Sequence, residues 1–563
     1  MTQRPWLQGY PSDVPADIDL ANIPTLAQLL NQAFIQHADR DALHFMGKVW
    51  TYRELDQASL ALAAYLQTLA LTKGDRVALM MPNVPQYAVA VAAVLRAGLV
   101  VVNVNPLYTP HELEHQLQDS GAKVMIVLEN FGATVQQCPQ HAKLEQVIVC
   151  SMGDMLGLLK GSIVNWVVRH SKKLVPPFQL TRSIAFNAAL RQGEQHQFTA
   201  PEVGLQDVAA LQYTGGTTGV AKGAVLQHRN LAANVMQVQS WYAPALKTIP
   251  ADVQPLCVCA LPLYHIFAFT VCLLLSLRCG HHVLLIANPR DIKSTLADLR
   301  RQPFHTFPAV NTLFNGLMNH PDFDLVDWSH LKVVVGGGAA VQSAVAEKWL
   351  ARTGAPIIEG YGLSETSPVA SCSVVGQPVN GSIGLPMPST DMAILDDAGQ
   401  PVPQGERGEV AIRGPQVMAG YWQRPDETAK VMTEDGFFRT GDIGVMDADG
   451  RFHIVDRKKD MVLVSGFNVY PNEVEDVASA CPGVAECAVI GVPDDKTGEA
   501  IKLVVVRKSP DLTEAQLRSF CSERLTGYKR PKYIEFRDAL PKTPVGKILR
   551  RELRDAEMAK AKA

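Results

Sequence analysis

An excess of charge is what this chain most plainly lacks. Lys and Arg number 52 and Asp and Glu 55, a net charge of −3, and charged residues fill only 19% of 563 positions. No broad basic field is available to hold a nucleic acid, and that partner class is not expected. Long apolar runs are missing as well. No window holds 18 uncharged apolar residues, so no membrane-spanning helix is expected, and the longest candidate, Ile266–Leu277, suits a buried strand or helix. The opening stretch MTQRPWLQGYPSDVP has no apolar segment after its basic residue and does not read as a secretory signal. Ten cysteines are scattered from Cys138 to Cys521, and none of them forms the CxxC spacing of a zinc site. They read as reduced core thiols of a cytoplasmic protein. Internal repeats and low-complexity tracts are also lacking.

What is present is apolar material, 47% of the chain, enough to build more than one core. Trp50-Thr51-Tyr52 opens a helix-like stretch to about Leu69. Arg76–Met81, Ala88–Leu95 and Val100–Val104 then read as strand, helix and strand; Glu112–Gln118 and Lys123–Val127 follow as helix and strand. The alternation recurs through Cys257–Leu261, Asp291–Arg300, Leu331–Val335 and Pro356–Glu359. Such alternation predicts parallel sheets covered on both faces. After Ser382 the texture shifts to short strands, Met392–Leu395, Gly408–Ile412 and Val445–Ile454, with turns such as Asp447–Gly450, which suits a small β-rich subdomain. The last hundred or so residues read as a compact α/β unit. A helix starts at Pro471-Asn472-Glu473 with Asn472 as its cap; Val484–Val492 and Ile501–Val506 are strands, Thr513–Leu525 is a helix, and Met558–Ala563 frays.

The densest chemical signal is Tyr213–Ala224, YTGGTTGVAKGA. The run Val208–Tyr213 before it reads as a buried strand. Glycines let a backbone turn tightly and bring N–H groups to an anion, and Thr hydroxyls and Lys222 add donors and charge. A strand feeding such a loop grips phosphate. Lys222 is followed by Gly223 and not preceded by glycine, so the spacing is not the Walker pattern. The loop points to ATP held in a different way.

Further motifs follow in order: VVGGGAA at Val334–Ala340, EGYGLSETSP at Glu359–Pro368, FRTGDIG at Phe438–Gly444, IVDRKKDMVLVSGFNVYP at Ile454–Pro471, and GYKRPKYIEFRDALPKTPVGKI at Gly527–Ile548. Together with the loop, these resemble the acyl-adenylate-forming superfamily of acyl-CoA synthetases, firefly-type luciferases and peptide-synthetase adenylation domains. The nearest likeness is to bacterial long-chain fatty acyl-CoA synthetases. It runs from about Thr25 to about Arg551. The fold implied is α/β: a large N-terminal domain of parallel α/β subdomains with a small β-rich subdomain, then a small mobile α/β C-terminal domain. The boundary implied is 1–458 and 459–563, with the hinge at Lys459 inside the charged run Asp456–Asp460.

The resemblance assigns roles residue by residue. Tyr213, Thr214, Gly215, Gly216, Thr217, Thr218 and Gly219, with Lys222, would hold the ATP phosphates, and Glu365 would hold Mg2+. Ser364 stands where the family usually has threonine. Tyr361 and Gly362 with Gly337, Gly338 and Ala339 would enclose the adenine; Asp442 and Arg457 would take the ribose. Lys547 would bridge acyl carboxylate and ATP during adenylation. His265 would position the carboxylate. Phe267, Phe269 and Val271 would line an acyl channel gated by Phe269, although core packing accounts for them equally well. In the second step, Ser465-Gly466-Phe467-Asn468 would turn to face the site, and Tyr528, Lys529 and Arg530 would meet CoA phosphates. Fatty acid and coenzyme A are the implied substrates, and a homodimer is compatible with the family.

Two readings of Met155–Lys173, MLGLLKGSIVNWVVRHSKK, stay open. Leu156, Leu159, Ile163, Trp166 and Val167 recur at helical spacing among Lys160, Arg169, His170, Lys172 and Lys173. That suits either peripheral contact with the inner face of the cytoplasmic membrane or a surface helix packed on its own core. Alternatives for the whole chain are a CoA ligase for a medium-chain or aryl acid, and a non-catalytic nucleotide- or acyl-CoA-binding lipid sensor.

Overall fold

The structure is a computed structural model, and it describes residues 4–214, 221–465, 467–494, 496–543 and 546–562. These residues build a mixed α/β fold on four sheets. One seven-stranded sheet has Arg76–Met80 at its centre, between Val100–Asn103 and Val124–Leu128, all parallel. Its edge turns antiparallel where Lys222–Gln227 pairs with Val208–Thr214. A nine-stranded sheet carries Leu256–Cys259, Thr306–Ala309, Val333–Gly337 and Ile357–Gly362 in parallel. Every residue of these first three strands is buried, as expected for strands covered on both faces.

The helix Pro85–Arg96 shows how tightly the layers close. Its sequence, PQYAVAVAAVLR, is apolar all round and every residue is buried. Arg96 at its end is tolerated because its guanidinium pairs with Asp56, donates to Ser59 Oγ at 2.7 Å and lies 4.6 Å from the Phe34 ring. The four-stranded antiparallel sheet Asp391–Leu395, Gly408–Arg413, Phe438–Met446 and Phe452–Arg457 forms the β-rich unit. The last sheet orders Phe467–Val469, Val462–Val464, Gly498–Arg507 and Val484–Asp494, with Tyr533–Arg537 alongside Gly498–Arg507.

Three local expectations are corrected. Trp50 and Thr51 end the strand Lys48–Thr51; the helix is Tyr52–Thr68, capped by a Thr51/Glu54 capping box. Asn472 is not a cap. The helix Pro471–Ser479 starts one residue earlier, with Tyr470 at the cap position, so Asn472 lies within the first turn and its side-chain oxygen accepts from Arg550 at 2.6 Å. The tail is not frayed from Met558, because the helix Arg550–Lys562 runs through it, held where Lys502 pairs with Glu557 at 2.7 Å.

Candidate active site

Strand ends, a hairpin and one late loop converge on a cavity of about 1040 Å³. From the carboxyl ends of parallel strands come Gly338, after Val333–Gly337, and Tyr361 and Gly362, which close Ile357–Gly362. His265 follows Leu256–Cys259. Ser364 and Glu365 continue from Gly362, and Tyr213, Thr214 and Lys222 enter from the seven-stranded sheet. Asp442, Arg457 and Lys547 complete the enclosure.

The phosphate-loop residues Gly215, Gly216, Thr217, Thr218 and Gly219 lie outside the described residues. Their flanks are placed: Thr214 and Lys222 are direct partners in the antiparallel register. Lys222 forms an ion pair with Glu427 and lies 5.3 Å from the Tyr421 ring. Two cations, Lys222 foremost and Lys430, hold the Glu427 carboxyl down to about 2. Tyr213 donates its hydroxyl to Asp119 at 2.7 Å, and Asp119 also takes Arg424 at 2.5 Å.

Glu365 is buried, 7% exposed. Desolvation raises its carboxyl above the ordinary value, offset in part by Tyr421, which donates to Oε1 at 2.8 Å, and by the charge of Arg457. Its Oε2 takes no hydrogen bond from another described side chain. A carboxylate lining the cavity fits a magnesium ion whose other ligands are phosphate and water. Among the described residues, no cluster of three or more His, Cys, Asp and Glu could hold a metal on protein ligands alone.

Asp442 and Arg457 stand opposite each other in the antiparallel ladder, Arg457 Nε 3.5 Å from Asp442 Oδ1. The Tyr361 hydroxyl donates to Asp442 Oδ2 at 2.7 Å. Ring, carboxylate and guanidinium thus form one connected wall. Gly338 lines the cavity in the left-handed region, φ +77°. Gly337 does not line it: a Cβ there would lie 2.8 Å from the Phe267 ring and 3.1 Å from the Gly360 carbonyl, so packing alone requires glycine. Ala339 is exposed and lies off the cavity lining.

On the acyl side, desolvation and then the charge of Lys547 push the His265 imidazole down to about 4, so it is neutral at pH 7. Its Nδ1 accepts from the Phe267 N–H at 3.3 Å, which leaves the proton on Nε2. Phe267 lines the cavity. Phe269 and Val271 are buried in the π-helical stretch Ala268–Leu274 and do not. The apolar lining comes instead from Tyr242, Val335, Val369 and Cys372. Tyr242 also lines a second cavity of about 530 Å³, shared with Leu29, Leu246 and Leu275.

Lys547 is held by its backbone, which exchanges bonds with Thr543: Thr543 N–H to its carbonyl at 2.7 Å, and its own N–H to Thr543 Oγ1 at 3.0 Å. A Cβ on Gly546 would come 2.5 Å from Thr312 Oγ1, so the loop lies directly against the large lobe. The Lys547 Nζ has no hydrogen bond or ion pair among the described residues. Burial, then the repulsion of Arg457, pushes it down to about 7.

A model described as AMP-binding enzyme matches residues 30–422, and a model of the AMP-binding enzyme C-terminal domain matches residues 473–547. The chain belongs to the AMP-binding enzyme family. It is 51% identical over 560 residues to a long-chain-fatty-acid–CoA ligase of Escherichia coli O6:H1 strain CFT073, covering 99% of both chains. The anthranilate CoA ligase AuaEII, solved with anthranoyl-AMP, superposes with a TM-score of 0.84 at 25% identity over 97% of this chain and 100% of that one. ATP-bound MatB from Rhodopseudomonas palustris does so at 0.77 and 28% identity, over 94% and 98%.

Residues that motif reading missed in this AMP-binding enzyme are Asp119, Tyr242, Tyr421, Arg424 and Glu427. The last three sit in AGYWQRPDE, whose Gly420 (φ +144°) and aromatic pair mark a constrained loop. Their partners lie 56 to 305 residues away, a distance at which no local pattern operates.

Proposed function

We propose that this AMP-binding enzyme is an ATP-dependent ligase joining long-chain fatty acids to coenzyme A. Support comes from the 51% identity to a ligase of that name and from the site itself. The observation that carries the reading is the unpaired, desolvated Lys547 ammonium beside His265, Asp442 and Arg457 in one cavity.

In the first step a carboxylate oxygen attacks the α-phosphorus of ATP, the bond to the bridging oxygen breaks, and pyrophosphate leaves. Both reactants are anions, so Lys547 offsets the charge gathering between them. Neutral His265 orients the carboxylate through its Nε2 proton. Thr214, the loop 215–219 and Lys222 hold the phosphates; Tyr361, Gly338 and Gly362 enclose adenine; Asp442 and Arg457 take the ribose hydroxyls. Glu365 would hold Mg2+, which neutralises phosphate charge when bound. In the second step the CoA thiolate attacks the carbonyl carbon of the mixed anhydride and AMP leaves.

A pivot at Lys459 separates the steps. Lys458 is tied to the large lobe, its N–H to the Gly441 carbonyl at 3.0 Å and its Nζ to Asp397 at 2.7 Å. Asp460 is tied to the C-terminal helix through Arg554 at 2.8 Å. The residue between them is the natural swivel. In the present orientation Phe467 stacks on Tyr528 at 4.6 Å, Lys529 pairs with Glu473 at 2.5 Å, and Arg530 donates to the Leu525 carbonyl, so neither cation offers itself to CoA. Gly466 lies outside the described residues. The ten free cysteines suit a cytoplasmic location, and no helix among the described residues is long and apolar enough to cross a membrane.

The deciding assay is fatty acid-dependent conversion of ATP to AMP and pyrophosphate, followed by acyl-CoA on adding CoA. No turnover with any carboxylate would leave the sensor reading, and turnover confined to aryl or short acids would replace the chain-length assignment.

Two further results are expected. Lys547 is cationic below about pH 7 in the free enzyme and loses its proton as the pH rises through that value. Bound anions raise it again, so kcat/KM for ATP should fall above pH 7 while kcat holds to higher pH. Lys547→Arg should abolish that alkaline fall whatever its absolute rate, because guanidinium stays charged; an unchanged profile refutes the assignment. Tyr242→Ala should join the two cavities and move the chain-length optimum upward by several carbons, measured as kcat/KM across an acid series. A mere uniform loss of activity would refute Tyr242 as the divider.

A further inference from the structure

Three carboxylates line the active-site cavity among the described residues: Glu365, Asp442 and Glu427. The proposed reaction uses the first for magnesium and the second for ribose. Glu427 has no such use, and its sign is wrong for a wall that receives a triphosphate. Arg424, on the same wall, is balanced differently. Its acid, Asp119, lies off the cavity lining and takes the Tyr213 hydroxyl as well.

The pair between Lys222 and Glu427 is built into the fold. The strand Lys222–Gln227 is laced to the segment 419–422 by backbone bonds: Trp422 N–H to the Gly223 carbonyl at 2.8 Å, Val225 N–H to the Gly420 carbonyl at 2.9 Å, and Ala419 N–H to the Val225 carbonyl at 3.0 Å. Thr428 ties the short helix Pro425–Val431 to the same segment, its Oγ1 accepting the Tyr421 N–H at 2.9 Å. Both backbones are therefore held, and the part left to move is the Lys222 side chain, 36% exposed. Glu427 has a second cation in reserve. Lys430 pairs with its Oε1 at 2.5 Å while Lys222 takes Oε2. Losing Lys222 would thus not leave the carboxylate unpaired. Glu427 stays ionised down to about pH 2, so the contact does not switch with pH.

We propose that Glu427 is a built-in competitor of the polyphosphate: its carboxylate and the β- and γ-phosphates contend for the one Lys222 ammonium, so ATP displaces it on binding and it displaces pyrophosphate on release. Lys222 must be a phosphate contact, as proposed above, for this competition to exist. Glu427 is then a positioning residue that acts through Lys222. The site holds ATP and pyrophosphate less tightly than its cations allow. Tighter ATP binding gains nothing once the nucleotide is in excess, whereas retained pyrophosphate reverses adenylation.

The test is calorimetric titration of the full chain with ATP, pyrophosphate and AMP at fixed excess Mg2+. Glu427→Gln keeps the side-chain volume and removes the charge. It should tighten ATP and pyrophosphate by about fivefold each and leave AMP, which lacks the β- and γ-phosphates, unchanged. Pyrophosphate should also inhibit AMP formation by that variant at about fivefold lower concentration. Lys222→Met should weaken ATP and pyrophosphate by at least about fivefold, and in that background Glu427→Gln should change them by less than about twofold. AMP binding kept in every variant reports an intact nucleotide pocket. Glu427→Gln that weakens ATP, binds it as the parent does, or loses AMP along with it would overturn the competition. So would an equal tightening with Lys222 absent. Lys222→Met that leaves ATP affinity unchanged would sink the phosphate contact itself and the competition with it. Lys222→Met that weakens ATP while Glu427→Gln does nothing would keep that contact and sink the competition alone.

Discussion

Lys547→Ala is expected to slow acyl-adenylate formation by about 10²–10³-fold, the usual cost of deleting a preorganised charge at the point where negative charge develops. Transfer of a supplied acyl-adenylate to CoA should be largely kept, because pyrophosphate has gone and no second anion then needs bridging. The measurements are single-turnover adenylate formation and, separately, thioester formation from synthetic acyl-AMP. Equal loss in both would refute the division of labour. Stability provides a control. The Lys547 ammonium is desolvated and unpartnered, which is why it is pushed down to about 7. Removing such a charge relieves a cost rather than breaking a bond, so the variant's Tm should not fall. Activity lost alongside Tm would point to a structural lysine instead.

The geometry fits the role proposed for this late lysine. Its loop bears on the large lobe through Gly546 against Thr312, while Lys542, five residues before it, pairs with Glu486 at 2.5 Å within the C-terminal unit. The loop therefore belongs to one lobe and presents its amine in the other's cavity. On the proposed reading, a rotation that withdrew the C-terminal unit would take the amine with it and open a path to the acyl carbonyl.

What could be read from residues alone had local causes. The parallel strands, the hairpin turn at Asp447–Gly450 and the terminal α/β unit follow from periodicity and turn chemistry acting within a few residues. That Asp442 faces Arg457 does not follow from that turn, whose register would set Asp442 against Asp456; a bulge between Ile443 and Gly444 shifts the pairing by one residue. What could not be read depended on distant partners. Glu365 is held by Tyr421, Lys222 by Glu427 and Tyr213 by Asp119, contacts that exist only after the sheets have assembled. Gly337 sits in a motif beside Gly338, yet Gly337 is glycine because Phe267 leans on it, whereas Gly338 faces the cavity. Phe269 is spaced like a channel residue, but the π-helical stretch turns it into the core.

Lys459→Pro should leave adenylation near the parent rate and suppress acyl-CoA release by about a hundredfold. Adenylation needs only the orientation seen here, in which Lys458 holds the large lobe and Asp460 the small one. On the proposed pivot, thioester formation requires the residue between them to change its backbone angles. Proline fixes φ, and forcing it into an incompatible conformation costs about 3 kcal/mol, which depopulates the second orientation about a hundredfold. The expected signature is an enzyme that makes acyl-AMP in a single turnover and then stalls with CoA present, accumulating bound adenylate. Contacts across the pivot sharpen the test. Asp456 accepts the Asn472 N–H at 2.8 Å and lies 3.6 Å from Arg550, and Arg407 pairs with Glu473 at 3.1 Å. If these break on rotation, Arg407→Ala in the same assay should speed thioester formation or leave it unchanged, never block it. A Lys459→Pro enzyme that releases acyl-CoA at the parent rate would place the swivel elsewhere in the chain.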